Sequence, residues 1–478
     1  MNIILIISDT FRYDNLGSRA GLPVRTPNLD AFSKRAVSLE GLHTSSFPTI
    51  PHRTDLTTGR YGWPWHGWQS RFKSGRNHAP EILHQAGYVS QLICDCPHLF
   101  RADFDDGFNA AATLRGQESD LSLLRMNHPI EEVMPPEKTR TGHHFMGRNL
   151  PDLSEWENRY WRGEEDRFPP RTARLVCEWL EENWRWKRFF LWVDFFDPHE
   201  PWDPPEYMVR KYDPGYKGTP MIHPNYGKAS DLTRAELRNL RAHYAAEAEL
   251  VDRWVGRIFQ KIDDLDLWDN SIVVFTTDHG MSLGEHNRTG KSNINERDER
   301  LWPIYPEIAH IPFMVAAPGL KGGRTVNALL AVPDILPTLL ELAGARVQPP
   351  EPLHGRSFAP LLLGRPQKPL HDFVITASHL RCQPGELPHK GTPTPVVYTH
   401  EWAYAPFGPR GERQLFALRH DPYAEKNVIR QHRGAACRLH ENLIAWLREL
   451  DAPPEAIAPF LDQSRTAGAR GRVKGPDW

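Results

Sequence analysis

The chain has 478 residues, of which 40% are hydrophobic and 25% charged, and its formal net charge is −2. This length predicts two domains, and the near-zero charge gives no bulk attraction to nucleic acid or to an anionic membrane. No apolar run approaches the length of a membrane span, and five scattered cysteines provide no disulfide framework. We therefore expect a cytoplasmic homo-oligomer with reduced thiols and without a nucleic-acid or membrane partner.

Short apolar runs alternate with helical patterns through most of the chain. The first run, residues 2–8, is continuous and β-branched, which is typical of a strand buried on both faces of a parallel sheet. Further predicted strands are residues 89–93, 189–193, 271–276 and 313–317. Predicted helices are residues 26–39, 81–86, 171–186, 231–263 and 333–343, with another beginning at Thr49. The alternation predicts an α/β three-layer sandwich with a largely parallel central sheet.

Changes in composition suggest the domain limits. Residues 1–365 form the predicted catalytic domain, and residues 110–170, rich in Pro, Arg, Glu and Trp, are predicted to be an insertion that covers it. Residues 366–464 contain short strand-like pieces and a helix at 438–450, which predicts a smaller α+β subdomain. The Gly- and Arg-rich residues 465–478 are predicted to be a flexible tail.

Four predicted strands end in clusters of Asp and His. The clusters are Asp9 with Arg12 and Asp14, Asp95 with His98, Asp194 with Asp197 and His199, and Asp278 with His279, Glu285, His286 and Lys291. Open α/β sheets bind ligands at the carboxyl ends of their strands, and converging carboxylates repel one another unless a cation holds them. The pattern therefore predicts a divalent metal ion, with Mn²⁺ or Zn²⁺ suited to mixed Asp and His ligands and Ca²⁺ or Mg²⁺ to oxygen ligands.

Thr49 opens the segment Thr49-Ile50-Pro51-His52-Arg53. A Thr two residues before Pro51 suits the N-cap of a helix, where backbone amides favour an anion. A hydroxyl in this position could act as a nucleophile if a metal or a base lowered its pKa. A simple helix cap is the alternative.

Six motifs follow one another in a fixed order. They are Ile6–Gly17, Thr26-Pro27-Asn28-Leu29-Asp30, Thr49-x-Pro51-His52-Arg53 with Thr58-Gly59, Asp197-Pro198-His199-x-Pro201, Thr277-Asp278-His279-Gly280 with Lys291, and Leu415-Phe416-Ala417-Leu418 with Asp421-Pro422 and Glu425-x-Asn427. In this order they resemble the sulfatase family of the alkaline phosphatase superfamily over nearly the whole chain. The resemblance implies the alkaline phosphatase-like fold and metal-dependent ester hydrolysis.

The sequence departs from the family pattern at four places. Sulfatases convert a Cys or Ser to formylglycine where this chain has Thr49, whereas phosphodiesterase relatives use Thr directly. Asp9-Thr10 replaces a pair of aspartates, and Asp278-His279 resembles the phosphonate monoester hydrolases and phosphodiesterases, which favour Mn²⁺ or Zn²⁺. The family's Lys-x-His becomes Asp95-Cys96-Pro97-His98, with loss of a cation.

The resemblance also implies roles for individual residues. The ligands of one divalent metal ion would be Asp9, Thr49, Asp278 and His279. Arg53 would contact the Thr oxygen or a ligand, His199 would be a leaving-group acid, and Lys291 would contact a substrate oxygen. His98 and His52 are weaker candidates. Each could instead be a strand cap, a salt-bridge partner or an ordinary polar residue.

Other polar residues in the motifs receive structural interpretations. Asp14 and Asp194 are predicted to be structural, and Arg12 could be a partner of the carboxylates. His310 could be the extra ligand of a two-metal site, but its His-Ile-Pro context favours entry into a strand, so it is left out.

The predicted function is hydrolysis of a small anionic ester, either a phosphodiester or a phosphonate monoester, by a metal-bound Thr nucleophile through a covalent intermediate. One alternative is a sulfatase that works without formylglycine. Another is a degenerate family member that binds an anion without turnover.

Overall fold

The computed structural model describes residues 1–17, 23–68, 70–72, 75–118, 120–140, 142, 144–292, 294–380, 382, 386–389 and 392–461. The α-helices are α1 (Pro27–Arg35), α2 (Thr49–Thr58), α3 (Ala79–His84), α4 (Pro97–Arg101), α5 (Leu150–Asn158), α6 (Phe168–Asn183), α7 (Glu206–Tyr212), α8 (Arg234–Asp264), α9 (Pro306–Ala309), α10 (Ile335–Ala343), α11 (Ala359–Leu362), α12 (Arg433–Glu449) and α13 (Pro454–Leu461). The strands are β1 (Asn2–Ser8), β2 (Val37–Leu39), β3 (Leu42–His43), β4 (Val89–Cys94), β5 (Ala110–Thr113), β6 (Phe189–Phe195), β7 (Ser271–Thr276), β8 (Ser282–Leu283), β9 (Thr289–Gly290), β10 (Trp302–Pro303), β11 (Phe313–Ala316), β12 (Arg324–Val326), β13 (Leu330–Ala331), β14 (Val374–Thr376), β15 (Pro393–Thr394), β16 (Val396–Tyr398), β17 (Trp402–Ala405) and β18 (Gln414–Ala417).

The main sheet has eight strands in the order β12-β2-β11-β7-β1-β6-β4-β5. Its pairs are parallel except for those of β11, which runs antiparallel to β2 and β7. This confirms the predicted, largely parallel α/β sheet.

Strand β1 explains why the chain begins with an unbroken apolar run. Ile3, Leu5 and Ile7 pack into the core on one face of the sheet, and Ile4 and Ile6 pack into the core on the other face. The first core includes side chains of α2, α3 and α10, and the second includes side chains of α1, α6 and α8. A strand covered by helices on both faces needs apolar residues at every position, and it becomes the middle layer of three.

The helix predicted over residues 26–39 is wrong at its C-terminal end. Helix α1 ends at Arg35, and Val37–Leu39 forms strand β2 between β11 and β12. Pairing with these two strands and burial of Val37 and Leu39 override the helical pattern of the preceding residues.

The C-terminal part contains a second sheet of four antiparallel strands, in the order β14-β16-β17-β18. Helices α12 and α13 contribute to the core on this sheet. His440 of α12 is bound at both ring nitrogens, since Nε2 lies 2.9 Å from the Phe460 carbonyl oxygen and Nδ1 lies 3.0 Å from the Tyr404 hydroxyl. A smaller α+β unit follows the main sheet, while the boundary at residues 365/366 stays a prediction.

Residues 110–170 do not lie wholly outside the main sheet. Ala110–Thr113 is the edge strand β5, because it pairs in parallel with β4, and α6 begins at Phe168. The part between them, residues 114–167, is called the cover segment below. The predicted tail, residues 465–478, lies outside the described residues. Within the described ranges, no helix combines the length and apolar character that crossing a bilayer requires.

Candidate metal centre and active site

The carboxyl ends of the central strands meet at one edge of the main sheet. Ile7 of β1 lies opposite both Asp194 of β6 and Thr276 of β7, and Cys94 of β4 also lies opposite Asp194. The polar residues that follow these strands are therefore neighbours, at the edge where open α/β sheets bind ligands.

Asp9, Asp278 and His279 form a group that could hold a metal ion. One ligand atom from each lies within 4.8 Å of the others, and all three side chains are fully buried. His279 Nδ1 lies 2.9 Å from the Gly280 carbonyl oxygen and donates to it, which leaves Nε2 without a hydrogen-bond partner among the described residues. Burial lowers the pKa of His279 to about 4, so the ring is neutral at pH 7, the form that binds metals.

The two carboxylates of this group differ in their electrostatics. Burial raises the pKa of Asp9 well above its ordinary value, and the neighbouring Asp278 adds to this rise. Burial also opposes ionisation of Asp278, but His279 and Arg53 outweigh it and hold the pKa of Asp278 well below its ordinary value. A divalent cation between the two would favour the ionised form of both.

Arg53 joins three buried carboxylates. Its Nε and Nη2 donate to the two oxygens of Asp194 at 2.8 and 2.7 Å, and its Nη1 donates to Asp278 Oδ2 at 2.7 Å. Nη2 also lies 3.2 Å from Asp9 Oδ2. The predicted contact with Thr49 is made to its carbonyl oxygen, 3.2 Å from Nη1, rather than to its hydroxyl. Asp194 holds the guanidinium in place, which agrees with its predicted structural role.

Thr49 lies next to this group, but it is not the helix cap that the sequence predicts. It is the first residue of α2, and Pro48 occupies the N-cap. As the first helical residue, Thr49 makes no side-chain cap hydrogen bond, and its buried Oγ1 has no hydrogen-bond partner among the described residues. The ring of Phe47, two residues before Thr49, lies 4.8 Å from that of His279. The hydroxyl therefore does not cap its own helix.

Lys291 reaches the group through Thr10. Lys291 Nζ donates to Thr10 Oγ1 at 3.3 Å and lies 3.6 Å from Glu200 Oε2, while Thr10 Oγ1 donates to Asp9 Oδ1 at 2.6 Å. The amide of Thr10 donates to Asp278 Oδ1 at 3.0 Å. Thr10 has φ of 62°, which is strained for a β-branched residue. Thr10, which stands in the place of the family's second aspartate, therefore donates hydrogen bonds to two of the three candidate ligands.

His199 is buried beside the same strand ends. Its ring stacks on Phe196 at 4.0 Å, and its Nδ1 donates to the Glu200 carbonyl oxygen at 2.7 Å. Burial lowers the pKa of His199 to about 3. A neutral ring with its proton on Nδ1 presents a basic Nε2, so the predicted role of leaving-group acid requires a second proton on the ring.

His98 lies where the cover segment meets the sheet edge. Its Nε2 is 2.9 Å from Glu118 Oε2, and the adjacent Gln117 donates through Nε2 to Asp197 Oδ1 at 3.1 Å. Two consecutive residues of the cover segment thus contact two of the predicted strand-end clusters.

Two other strand-end residues have structural contacts. Asp95 accepts a hydrogen bond from Thr172 Oγ1 at 2.7 Å. Arg12 is buried and pairs with Asp14 at 2.6 Å and Glu285 at 2.8 Å, so its partners lie outside the ligand group.

The remaining histidine candidates lie outside the metal group. His52 Nδ1 is 3.1 Å from Thr44 Oγ1, and burial lowers the pKa of His52 to about 3. His310 stacks on Tyr13 at 3.6 Å, and its Nε2 donates to the Glu40 carbonyl oxygen at 2.9 Å. That His310 is not a ligand of a second metal ion stays a prediction.

Three residues at the site were not among the sequence candidates. The sequence shows Thr10 only as a departure from the family's pair of aspartates, whereas the signal for Glu200 is its place directly after His199 in a motif. Glu118 carried no signal, because it lies 20 residues after His98 in a segment without periodicity.

Comparison with known proteins places this geometry in context. The sequence profile of the sulfatase family matches residues 1–345. Among curated relatives, an endo-4-O-sulfatase of Bacteroides thetaiotaomicron is 26% identical over 95% of this chain and 92% of its own length. An arylsulfatase of Clostridium perfringens is 25% identical, covering 90% of each chain.

Among solved structures, the phosphonate monoester hydrolase of Agrobacterium radiobacter superposes with a TM-score of 0.71. It is 22% identical and covers 94% of this chain and 95% of its own. At this identity the likeness concerns the fold.

Proposed function

This chain belongs to the sulfatase family of the alkaline phosphatase superfamily, and from this premise we propose that it hydrolyses phosphodiesters or phosphonate monoesters with Thr49 as the nucleophile. The observation that carries the proposal is the buried Thr49 hydroxyl, which makes no hydrogen bond within the described residues, although the carbonyl oxygen of Thr49 accepts a hydrogen bond from Arg53, the cation that joins three buried carboxylates. A hydroxyl kept free in such a polar environment suits a nucleophile better than a structural cap.

The residues fit a divalent metal ion. Asp9, Asp278, His279 and Thr49 would hold it, because Asp9 Oδ2, Thr49 Oγ1 and His279 Nε2 are buried without hydrogen-bond partners among the described residues. The mixed oxygen and nitrogen set favours Mn²⁺ or Zn²⁺, and Ca²⁺ or Mg²⁺ would suit its oxygen donors. When bound, the ion would lower the pKa of the hydroxyl and stabilise negative charge on the transferred group.

Around that centre the chain supplies the groups of a two-step transfer. The Thr49 oxygen forms a bond to phosphorus while the ester bond to the alcohol breaks, and water later displaces Thr49 from the covalent intermediate. Arg53 holds Asp278 and the first turn of α2 in place, and Lys291 supplies positive charge for the substrate oxygens. His199 is the candidate proton donor to the departing alcohol, but its neutral ring carries the proton on Nδ1, so Nε2 must first be protonated, which burial opposes.

The charge of the site favours a monoanionic substrate. Four buried carboxylates, Asp9, Asp194, Asp278 and Glu200, face the cations Arg53 and Lys291. With all of them ionised, one divalent ion brings the sum to zero, so a monoanion leaves less uncompensated charge than a dianion does. Phosphodiesters and phosphonate monoesters are monoanions, whereas phosphate monoesters reach two charges at pH 7.

Sulfate ester hydrolysis is the second candidate. The names of the curated relatives favour it, and a sulfate monoester is also a monoanion. Thr49 cannot become formylglycine, so a sulfatase of this sequence would have to transfer the sulfuryl group to a plain hydroxyl. Phosphorus is preferred here because an unmodified Thr suits direct attack on phosphorus.

The test is a comparison of three aryl esters with the purified protein loaded with Mn²⁺ or Zn²⁺. We expect turnover of the aryl phosphodiester or the aryl phosphonate monoester to exceed that of the aryl sulfate, with Thr49→Ala inactive toward all three. Cleavage of the sulfate alone would replace the first candidate by the second. A protein that binds no divalent ion and cleaves none of the esters would refute both.

A further inference from the structure

Glu118 connects the cover segment to His98 of the sheet edge. The residue is 7% exposed and has φ of 50°, a left-handed backbone that is uncommon outside glycine. Glu118 Oε2 lies 2.9 Å from His98 Nε2, and Glu118 Oε1 lies 3.9 Å from Arg140 Nη1. Burial opposes its ionisation, but the hydrogen bond with His98 and the nearby cationic groups outweigh burial and hold the pKa of Glu118 well below its ordinary value. The side chain is therefore a carboxylate throughout the working pH range.

The second ring nitrogen of His98, Nδ1, is not the one that contacts Glu118. Only 10% of the side chain is exposed, and the buried Nδ1 has no hydrogen-bond partner among the described residues. The ring lies edge-on to Trp68 at 5.0 Å and to Phe196 at 5.7 Å, and Phe196 itself stacks on His199. Nδ1 thus lies in a water-poor position one aromatic ring away from His199.

We propose that Glu118 is the positioning residue of His98, accepting its Nε2–H so that Nδ1 is directed at an oxygen of the bound anionic ester. The inference rests on the proposed function for the identity of the ligand. A carboxylate on one ring nitrogen fixes the tautomer, and the other nitrogen donates a hydrogen bond once it also carries a proton. The pair thereby places a ring nitrogen near the position where the family's Lys-x-His cation is missing, and it makes Glu118 the residue of the cover segment that acts on substrate binding.

Ring protonation can be measured without turnover. Nitrogen-15 NMR of histidine-labelled protein, with the His98 signals assigned by their loss in His98→Gln, should show a proton on Nε2 in the wild type at mildly alkaline pH. In Glu118→Ala this preference should be lost. A wild-type ring protonated on Nδ1, or a ring that is unchanged in Glu118→Ala, would overturn the proposal.

Steady-state kinetics provide the second test. Glu118→Gln should raise KM for the best ester about tenfold with kcat changed less than about twofold, because a charge-assisted contact to a group present in both ground and transition state is weakened. His98→Gln should show a similar loss, and the double variant should lose no more than the larger single effect. Additive losses would overturn the coupling.

Asp120→Asn is the matched control. Asp120 is a carboxylate of the same segment that pairs with Arg115 at 2.8 Å instead of with His98, so its substitution should leave KM unchanged. Equal losses of thermal stability in Glu118→Gln and Gln117→Ala, with unchanged kinetics, would show that Glu118 only anchors the segment and would refute the proposal. An inactive wild type that nevertheless shows the predicted ring protonation would refute the proposed function and leave the Glu118–His98 pairing standing.

Discussion

Replacing Arg53 by Met should make the stability of the protein depend on metal. The substitution keeps a long apolar stem but removes the guanidinium that bonds Asp194 and Asp278 and lies 3.2 Å from Asp9. All four side chains are fully buried. Removing one partner of a buried ion pair costs about 3–5 kcal/mol, because the remaining charges have no compensation. Since three carboxylates lose their cation together, we expect a loss at the upper end of that range.

A divalent ion should restore part of this loss. Saturation to about 100 times Kd stabilises a folded protein by about 2.7 kcal/mol. Without Arg53 the carboxylates lose the guanidinium that competes with a metal ion, so Mn²⁺ should bind Arg53→Met more tightly and stabilise it more than it stabilises the wild type. The assay is guanidinium unfolding followed by tryptophan fluorescence, with chelator and with Mn²⁺, for both proteins.

Arg12→Met is the matched control. Arg12 is 1% exposed and also pairs with two carboxylates, but Asp14 and Glu285 are not in the ligand group. Relative to the wild type, Arg12→Met should lose the same free energy of unfolding in chelator as in Mn²⁺. Unfolding of Arg53→Met like the wild type in chelator, or equal rescue of both variants by Mn²⁺, would refute this prediction.

The other predictions concern the nucleophile, the ligands, the lysine and acid stability. Thr49→Ser should retain measurable ester hydrolysis while Thr49→Ala loses about a thousandfold or more in kcat, because the hydroxyl is the reacting group; equal rates for the two variants would exclude it as the nucleophile. Asp278→Asn should lose bound metal by elemental analysis, and full metal content in that variant would remove Asp278 from the ligand set. Lys291→Met should raise KM for the anionic ester about tenfold and also lower Tm, because the buried Glu200 loses its cation, and an unchanged KM would assign Lys291 to structure. Burial lowers the pKa of His440 to about 4, so the unfolded chain takes up a proton there first as pH falls, and stability is lost between about pH 6.5 and 4. His440→Gln should reduce this acid-induced loss by up to about 3 kcal/mol in unfolding titrations, and an identical pH profile would contradict the assignment.

The strand-end chemistry could be predicted because it depends on local patterns. An apolar run that stops at Asp9 or at Asp278 marks both a buried strand and the polar residue at its end, and parallel strands bring such ends together. The helix over residues 26–39 failed because the partners of β2 come from β11 and β12, which lie far away in the sequence. No local pattern contains that information.

Within the site, the unpredicted contacts are those that depend on side-chain direction. The sequence places Thr49 at the N-cap of its helix, but its position as first helical residue leaves the hydroxyl without the capping hydrogen bond. Thr10 could be identified only as a departure from a motif, while its link between Lys291 and Asp9 depends on a left-handed backbone. Glu118 reaches His98 from a segment whose path the sequence does not reveal.

The place of β1 in the sheet determines when a newly synthesised chain can acquire this site. Strand β1 is made first, yet its neighbours are β6 and β7, and Thr10 and its partner Asp278 are 268 residues apart. Such long loops must close before the parallel pairs can stabilise anything, which makes folding slow and leaves early strands exposed. Asp9 and Thr49 are therefore synthesised long before the other candidate ligands, Asp278 and His279. A ribosome-bound chain that stops before residue 278 lacks these two ligands and cannot form the metal centre.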